Sequence, residues 1–318
     1  MSIASISLIP QKMPSPAKVL FLGSKSLGLK LLQASFDIAP LSLNTIVTLD
    51  DSKDTRSLLP DFLAFAEEKK VAISVLLKAK ELNAIIERNR PDFVIVCGWY
   101  WIIPKEILEM VPAGFVGLHA SPLPRYRGFA PLVWSLINGE PEIGISFFYL
   151  EDGVDSGDLL LQKNASIDPD TTISEALEIA EDLSLKGWSE IYPLLLSGQS
   201  KRFKQANIKP NYGDKRIPED GIIDWNKSAK ELHNFIRAQS SPYPGAFTFS
   251  NGRKLYLWKS ATLDEYYSGS PGQVLKIQED SVIVACGEGG IKLIQAQWDG
   301  DEIQKANQIL NTEDRLGT

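Results

Sequence analysis

The sequence is short of the residues that announce a metal site or a disulfide scaffold: 318 positions hold two cysteines, two histidines and three methionines. Cys97 and Cys286 both lie in apolar runs, VIVCGW and VIVACG, where a thiol behaves as a small hydrophobe. Neither a disulfide framework nor a zinc site can be drawn from them, and no metal is expected. No run approaches the roughly 20 apolar residues of a membrane-spanning helix. The opening segment MSIASISLIPQKMPSPAK lacks the basic start and long apolar stretch of a secretory signal. Residues 1–17 therefore read as a short, loosely ordered extension, the cytoplasm as the location, and no membrane partner is expected. Positive charge is also scarce, 33 Lys+Arg against 40 Asp+Glu, which argues against a broad polyanion-binding surface. The shortfall is local: residues 1–199 carry 17 against 25, whereas residues 200–318 carry 16 against 15.

What is present fits a folded chain of two domains, with 44% hydrophobic and 23% charged residues. From Lys18 onward short apolar runs alternate with amphipathic stretches, the pattern of a wound, mostly parallel α/β sheet. Strands are expected at VLFLG (19–23), NTIVTL (44–49), AISVLL (72–77), DFVIVCGW (92–99), FVGLHA (115–120) and GISFFYL (144–150). Helices are expected near 55–69, 79–89 and 130–138, with a long one over 174–196 closing a domain that spans 18–198. Residues 199–212 are rich in Gly, Pro and charge without a sustained apolar period and read as linker. Beyond them, 213–318 changes texture: one amphipathic helix (228–239), then short strands with a Ser250-Asn251-Gly252 hairpin turn, as in a small β-barrel.

The chemistry concentrates in residues 115–158. His119 ends a predicted strand, at the edge of a parallel sheet where ligands bind. Pro122 and Pro124 follow at once and force an irregular loop. After the strand GISFFYL, the turn EDGVDSGD brings Asp155 to the same edge. Within hydrogen-bond reach, Asp155 would orient the His119 imidazole and favour its protonated form, giving a proton-transfer pair. His233 lies inside the amphipathic helix and reads as structural. Gly23 and Gly28 lack the third glycine and later acidic residue of a dinucleotide loop, so a nicotinamide cofactor is not expected.

The stretch resembles the signature of the folate-dependent formyltransferases: Asn-x-His-x-Ser-Leu-Leu-Pro-x-x-Arg-Gly, then Asp-x-Gly about thirty-six residues past the His. Here the corresponding residues are His119, Ser121-Pro122-Leu123-Pro124, Arg127-Gly128 and Asp155-Ser156-Gly157. IDWNKSAKELHNFIRA, PYPGAFT and PGQVLKI are similar to the OB-like carboxy-terminal barrel that accompanies methionyl-tRNA formyltransferase and some sugar enzymes. The resemblance implies a Rossmann-like catalytic domain and a formyl donor, 10-formyltetrahydrofolate, as co-substrate. It implies that His119 stabilises or shuttles protons for the tetrahedral intermediate and that Asp155 orients it. The pterin would be gripped by Gly98, Trp99, Tyr100, Trp101, Ile102 and Ile103 and by Leu150, Glu151, Asp152, Gly153 and Val154, with Ser121, Leu123 and Pro124 beside them. A cis bond before Pro124 is also implied. Trp99, Tyr100 and Trp101 read equally as sheet-edge core.

The chain departs from the pattern at Pro122, which stands for a Leu, and at a position that bears on the chemistry. Where the family has its Asn, which supplies a side-chain N–H to the developing oxyanion, this chain has Gly117. Three activities stay open: formyl transfer to an amine, hydrolysis of the formyl folate, and folate binding without turnover. The short, mixed-charge stretch TLDDSKDTRSLLPDFLAF and the near-neutral second domain favour a small amine, such as that of a nucleotide-linked sugar, over tRNA. Arg125, Arg127 and Gly128 would then meet the acceptor, against the plainer reading of the two arginines as solvated loop charges.

Overall fold

The computed structural model describes residues 5–6, 16–54 and 56–318; the remainder of the expected loose extension lies outside the described residues. The chain divides into two compact units, one of residues 1–127, 144–164 and 180–211 and the other of 128–143, 165–179 and 212–318. The second unit thus takes in two stretches from the middle of the chain as well as the carboxy-terminal residues.

The first unit is built on a nine-stranded sheet. Its strands are β1 (Ser5–Ile6), β2 (Val19–Gly23), β3 (Leu43–Leu49), β4 (Ala72–Leu76), β5 (Phe93–Cys97), β6 (Phe115–His119), β7 (Glu142–Tyr149), β8 (Leu159–Ser166) and β9 (Arg202–Phe203). They lie in the order β1-β9-β8-β7-β6-β5-β2-β3-β4. The half from β4 to β6 is parallel, with Leu20 beside Val94 and Val94 beside Phe115. β2 and β5 are buried at every position, which explains their unbroken apolar runs: helices cover both faces of a parallel sheet. β6 then pairs antiparallel with β7, and β9 antiparallel with β8 and β1.

Helices α1 (Lys25–Ile38), α2 (Leu59–Lys69) and α3 (Glu81–Asn89) follow β2, β3 and β4. α2 starts later than its apolar pattern suggests, because Pro60 fits the first turn of a helix and not its interior. Two more helices follow in the chain, the short α4 (Pro131–Ile137), whose residues fall in the second unit, and the long α5 (Ile173–Leu196). The carboxy-terminal half of α5 buries Trp188 and Tyr192, whose rings stack 4.8 Å apart, and the Trp188 indole donates to Ser35 Oγ at 2.9 Å. Burial of this size contributes roughly 2 kcal/mol or more per large side chain.

The second unit carries an antiparallel sheet of β10 (Ala246–Ser250), β11 (Arg253–Ala261), β12 (Val274–Ile277), β13 (Val282–Ala285), β14 (Gly290–Trp298) and β15 (Gln304–Lys305). The order is β10-β11-β14-β13-β12, with β15 on β14. Ser250 pairs with Arg253 across a two-residue turn in which Asn251 and Gly252 both have positive φ (50° and 73°), as the sequence pattern demands. Helix α6 (Ala229–Arg237) is capped by Ser228 and Glu231 in a reciprocal box and buries Leu232 and Ile236 against Leu255, Leu257, Val284 and Leu293. No described helix is long and apolar enough to cross a membrane.

Candidate active site

β6, central in the sheet, delivers His119 to the rim at the carboxyl ends of the parallel strands. Phe115 and Val116 anchor the strand in the core, and cross-strand register sets Gly117 opposite Phe148 and His119 opposite Ser146. Side chains alternate along a strand, so Gly117 and His119 share one face. The Phe148 ring meets the imidazole edge-on at 6.4 Å, and the His119 side chain is 10% exposed.

The loop after His119 is fixed by polar side chains from the antiparallel strands. Ser146 Oγ donates to Ser121 O (2.7 Å) and accepts from the Leu123 N–H (3.2 Å) and from Gln162 Nε2 (2.9 Å). Gln162 also donates to Leu123 O, and Ser121 Oγ donates to Arg125 O. The Leu123–Pro124 peptide is cis, as the resemblance implies. Tyr126 then turns through a left-handed conformation (φ 55°), and its carbonyl lies 2.7 Å from His119 Nε2. A carbonyl only accepts, so Nε2 carries the hydrogen and donates it. The other nitrogen, Nδ1, lies 3.5 Å from Asp155 Oδ2.

Asp155 reaches that point from a tight return. It too has positive φ (49°). Gly157 lets the loop close, because a Cβ there would fall 1.8 Å from Tyr149 O, a distance no side chain tolerates. Glu151 and Gly153 form an isolated bridge in the same loop.

The second expected folate loop leaves β5 at Gly98. Its φ of 70° and the 2.3 Å separation between an added Cβ and Ser24 O reserve the position for glycine. Trp99 and Trp101 pack edge-to-face at 5.3 Å, and both, together with Leu150, lie against the cluster that contains Val94, Ile103 and Ile107. Leu150 therefore brings the loops 98–103 and 150–154 onto one apolar cluster. Around it three side chains are left open: Ile102 is 85% exposed, Val154 51% and Tyr100 50%. The Trp99 indole N–H is buried without a hydrogen-bond partner among the described residues.

At the same rim Lys25 is held by Asp51 (2.7 Å) and Asp54 (2.9 Å) and sits over the Tyr100 ring at 5.5 Å. Burial works against the ammonium, but bonds to Asp51, Asp54 and Tyr100 outweigh it and hold its pKa above the ordinary value. Arg56 first and Lys25 second hold the Asp54 carboxyl far below the usual carboxylate range. Cys97, in β5, is a core thiol that burial pushes up to about 12.

The expected site residues thus separate. His119 and Asp155 meet, and Ser121, Leu123 and Pro124 are buried in the loop between them. Glu151, Asp152 and Gly153 are exposed. Arg125 lies over the Tyr126 ring at 5.7 Å, and Gly128 belongs to the second unit with φ 88°. Arg127 turns its Nε (3.2 Å) and Nη2 (2.6 Å) to Gln205 Oε1. The place of a side chain at position 117 is filled: a Cβ there would lie 2.5 Å from Leu150 Cδ1 and 3.1 Å from Phe148 Cε1. Ser146, Gln162, Gln205 and Asn211 escaped the sequence-based expectations. Only Ser146, a hydroxyl inside the apolar run GISFFYL, carries a signal that could have found it.

Residues 48–190 match the formyl transferase family, and residues 216–314 match the formyl transferase, C-terminal domain. Methionyl-tRNA formyltransferase of Geobacter sulfurreducens is 31% identical over 287 residues, covering 89% of this chain and 90% of its own length. The enzyme of the same name from Acetivibrio thermocellus is 30% identical over 292 residues, 89% of this chain and 92% of its own. Among solved structures, WlaRD, a sugar 3N-formyl transferase crystallised with dTDP and 5-N-formyl-THF, superposes with a TM-score of 0.67 at 20% identity, over 90% of this chain and 99% of its own. An N-formyltransferase of Helicobacter canadensis, in complex with folinic acid and dTDP-3-aminofucose, gives 0.66 at 19% identity over 88% and 100%. The fold and the whole-length similarity lead to one conclusion: the chain belongs to the folate-dependent formyltransferase family.

Proposed function

We propose that this enzyme moves the formyl group of 10-formyltetrahydrofolate to a primary amine, with His119 and Asp155 as its proton-handling pair. The observation that carries the reading is the 3.5 Å approach of His119 Nδ1 to Asp155 Oδ2 at the sheet rim, beside loops that leave Ile102, Val154 and Tyr100 open. Attack of the amine on the formyl carbon forms a C–N bond and a tetrahedral oxyanion. Its collapse breaks the bond to N10, so one proton must leave the amine and one must reach N10. Nε2 is committed as a donor to Tyr126 O, so Nδ1 is the nitrogen that exchanges the proton, and Asp155 stabilises the ring while it carries it. Open apolar side chains suit the flat pterin and benzoyl rings of the donor.

For the acceptor, a small amine such as that of a nucleotide-linked sugar is favoured by the short loop after β3. Its Asp51 and Asp54 neutralise Lys25, so that ammonium is not free to meet a polyanion. Methionyl-tRNA is the second reading, favoured by the full-length relatives that carry that name. Hydrolysis is the third, favoured by Gly117, which brings no side-chain donor to the oxyanion. Incubation with 10-formyltetrahydrofolate, following tetrahydrofolate release, separates them. Release that depends on an amino sugar nucleotide supports the first, on methionyl-tRNA the second, and on neither the third. No release under any condition sinks the formyl-transfer reading.

A further inference from the structure

We propose that Gln205, in the segment that reads as linker, is a positioning residue that holds the Asp155 loop in register with His119. The proposal rests on the reading of His119 and Asp155 as the reacting pair. A carboxamide offers two N–H donors and two acceptor lone pairs. At Gln205 all four are used within the first unit. Nε2 donates to Asp155 O at 2.7 Å and to Gly157 O at 2.9 Å, while Oε1 accepts from Arg127 Nε at 3.2 Å and from Arg127 Nη2 at 2.6 Å. Gln205 thereby ties the loop that follows His119 to the loop that carries Asp155.

Two features make this tie matter. Asp155 occupies a left-handed conformation that a non-glycine residue keeps only when its surroundings hold it, and Gln205 grips its carbonyl. Six residues on, Asn211 holds the other partner: its Oδ1 accepts from the Tyr126 N–H (2.7 Å) and its carbonyl accepts from the Arg127 N–H (3.0 Å), and Tyr126 O receives His119 Nε2. One strand of chain, 205–211, therefore braces both sides of the 3.5 Å contact. The chemistry also selects an amide. Glutamate would keep the bonds to Arg127 but would set a carboxylate against two carbonyl oxygens.

The test uses the full chain with Gln205→Ala, Gln205→Glu and Lys209→Ala, an exposed control in the same segment. A geometric fault of this kind costs on the order of 10- to 100-fold in kcat. Both Gln205 variants should show that loss with KM for the formyl folate within about threefold, because Gln205 grips the loop at Asp155 and Gly157, past the 150–154 stretch expected to meet the folate; the control should match wild type. The chain has two histidines, so the ¹⁵N signals of the His119 ring can be assigned with His233→Gln and followed directly. They should move in both Gln205 variants toward those of Asp155→Ala. A kcat within twofold of wild type, a loss expressed entirely in KM, or full activity in Gln205→Glu overturns the proposal, as do unmoved ring signals. If Gln205→Ala fails to fold, Gln205→Glu gives the same two readouts. If wild type releases no tetrahydrofolate, the functional reading falls and the ring signals alone decide: moved supports the positioning role, unmoved ends it.

Discussion

The two histidines of this chain each face an aspartate, yet their neighbourhoods are built to opposite ends. His119 ends a strand, and its partners come from two loops with residues in left-handed conformations, Tyr126 and Asp155. His233 sits within α6, with Nδ1 3.1 Å from Ser260 Oγ and Nε2 3.0 Å from Asp170 Oδ1 and 3.3 Å from Pro169 O. One turn later the buried Arg237 donates to Asn234 Oδ1, Thr171 O and Leu136 O. Around His233, donors end on protein carbonyls and side chains, which knits residues 165–179 to α6. A histidine–aspartate contact is therefore no mark of catalysis by itself. What sets His119 apart is a strained rim beside apolar side chains that protein leaves uncovered.

Removing each imidazole breaks the comparison most sharply. His119→Ala should lower kcat for formyl release by about 10³-fold, within the usual range for a general acid–base group, while folate affinity measured by fluorescence titration changes little. His233→Ala should leave kcat within about twofold and lower the unfolding free energy by roughly 1–3 kcal/mol, the cost of stranded buried hydrogen-bond partners. Equal kinetic losses in the two variants would sink the distinction.

A smaller effect is expected on the face of β6 that His119 shares with Gly117. An asparagine introduced at 117 must compete with Leu150 Cδ1 for the same space, although the end of a leucine side chain can rotate away. Gly117→Asn alone should gain little or lose folate affinity. Combined with Leu150→Ala, which vacates the seat, it should raise kcat by about tenfold over Leu150→Ala alone, as a new oxyanion donor comes into use. Additive effects in the double-mutant cycle would show that the two positions do not share that space.

The contrast between the two histidines was legible in part. Motif residues lie close together in sequence, so the strand ending at His119, its proline-rich loop and the return at Asp155 could be read directly. The strands β2 to β7 followed from their apolar runs. Gln205 and Asn211 act through amide groups from a segment with no apolar period, and such bonds leave no periodic trace. β8 was missed because only Leu159 and Leu160 are buried and the strand then alternates with polar residues, and β9 is two residues long. Two carbonyl partners, Pro169 for His233 and Thr171 for Arg237, lie 64 and 66 residues away, beyond any local pattern.

Acid should sharpen the same contrast by a small margin. Burial first, and the Arg237 charge after it, depress the His233 pKa, against an opposing pull from Asp170. A base with a folded pKa below its unfolded value of about 6.5 binds protons more readily when the chain is unfolded. Stability from this group is then complete above about pH 6.5 and declines as pH falls through that value, until the folded form also protonates. His233→Gln has no such titration. In urea unfolding at pH 8 down to pH 5, the advantage of wild type over His233→Gln should therefore shrink with acidification. An advantage that widens instead would mean that the protonated ring is the form Asp170 holds, so that attraction to the carboxylate, and not burial, governs His233.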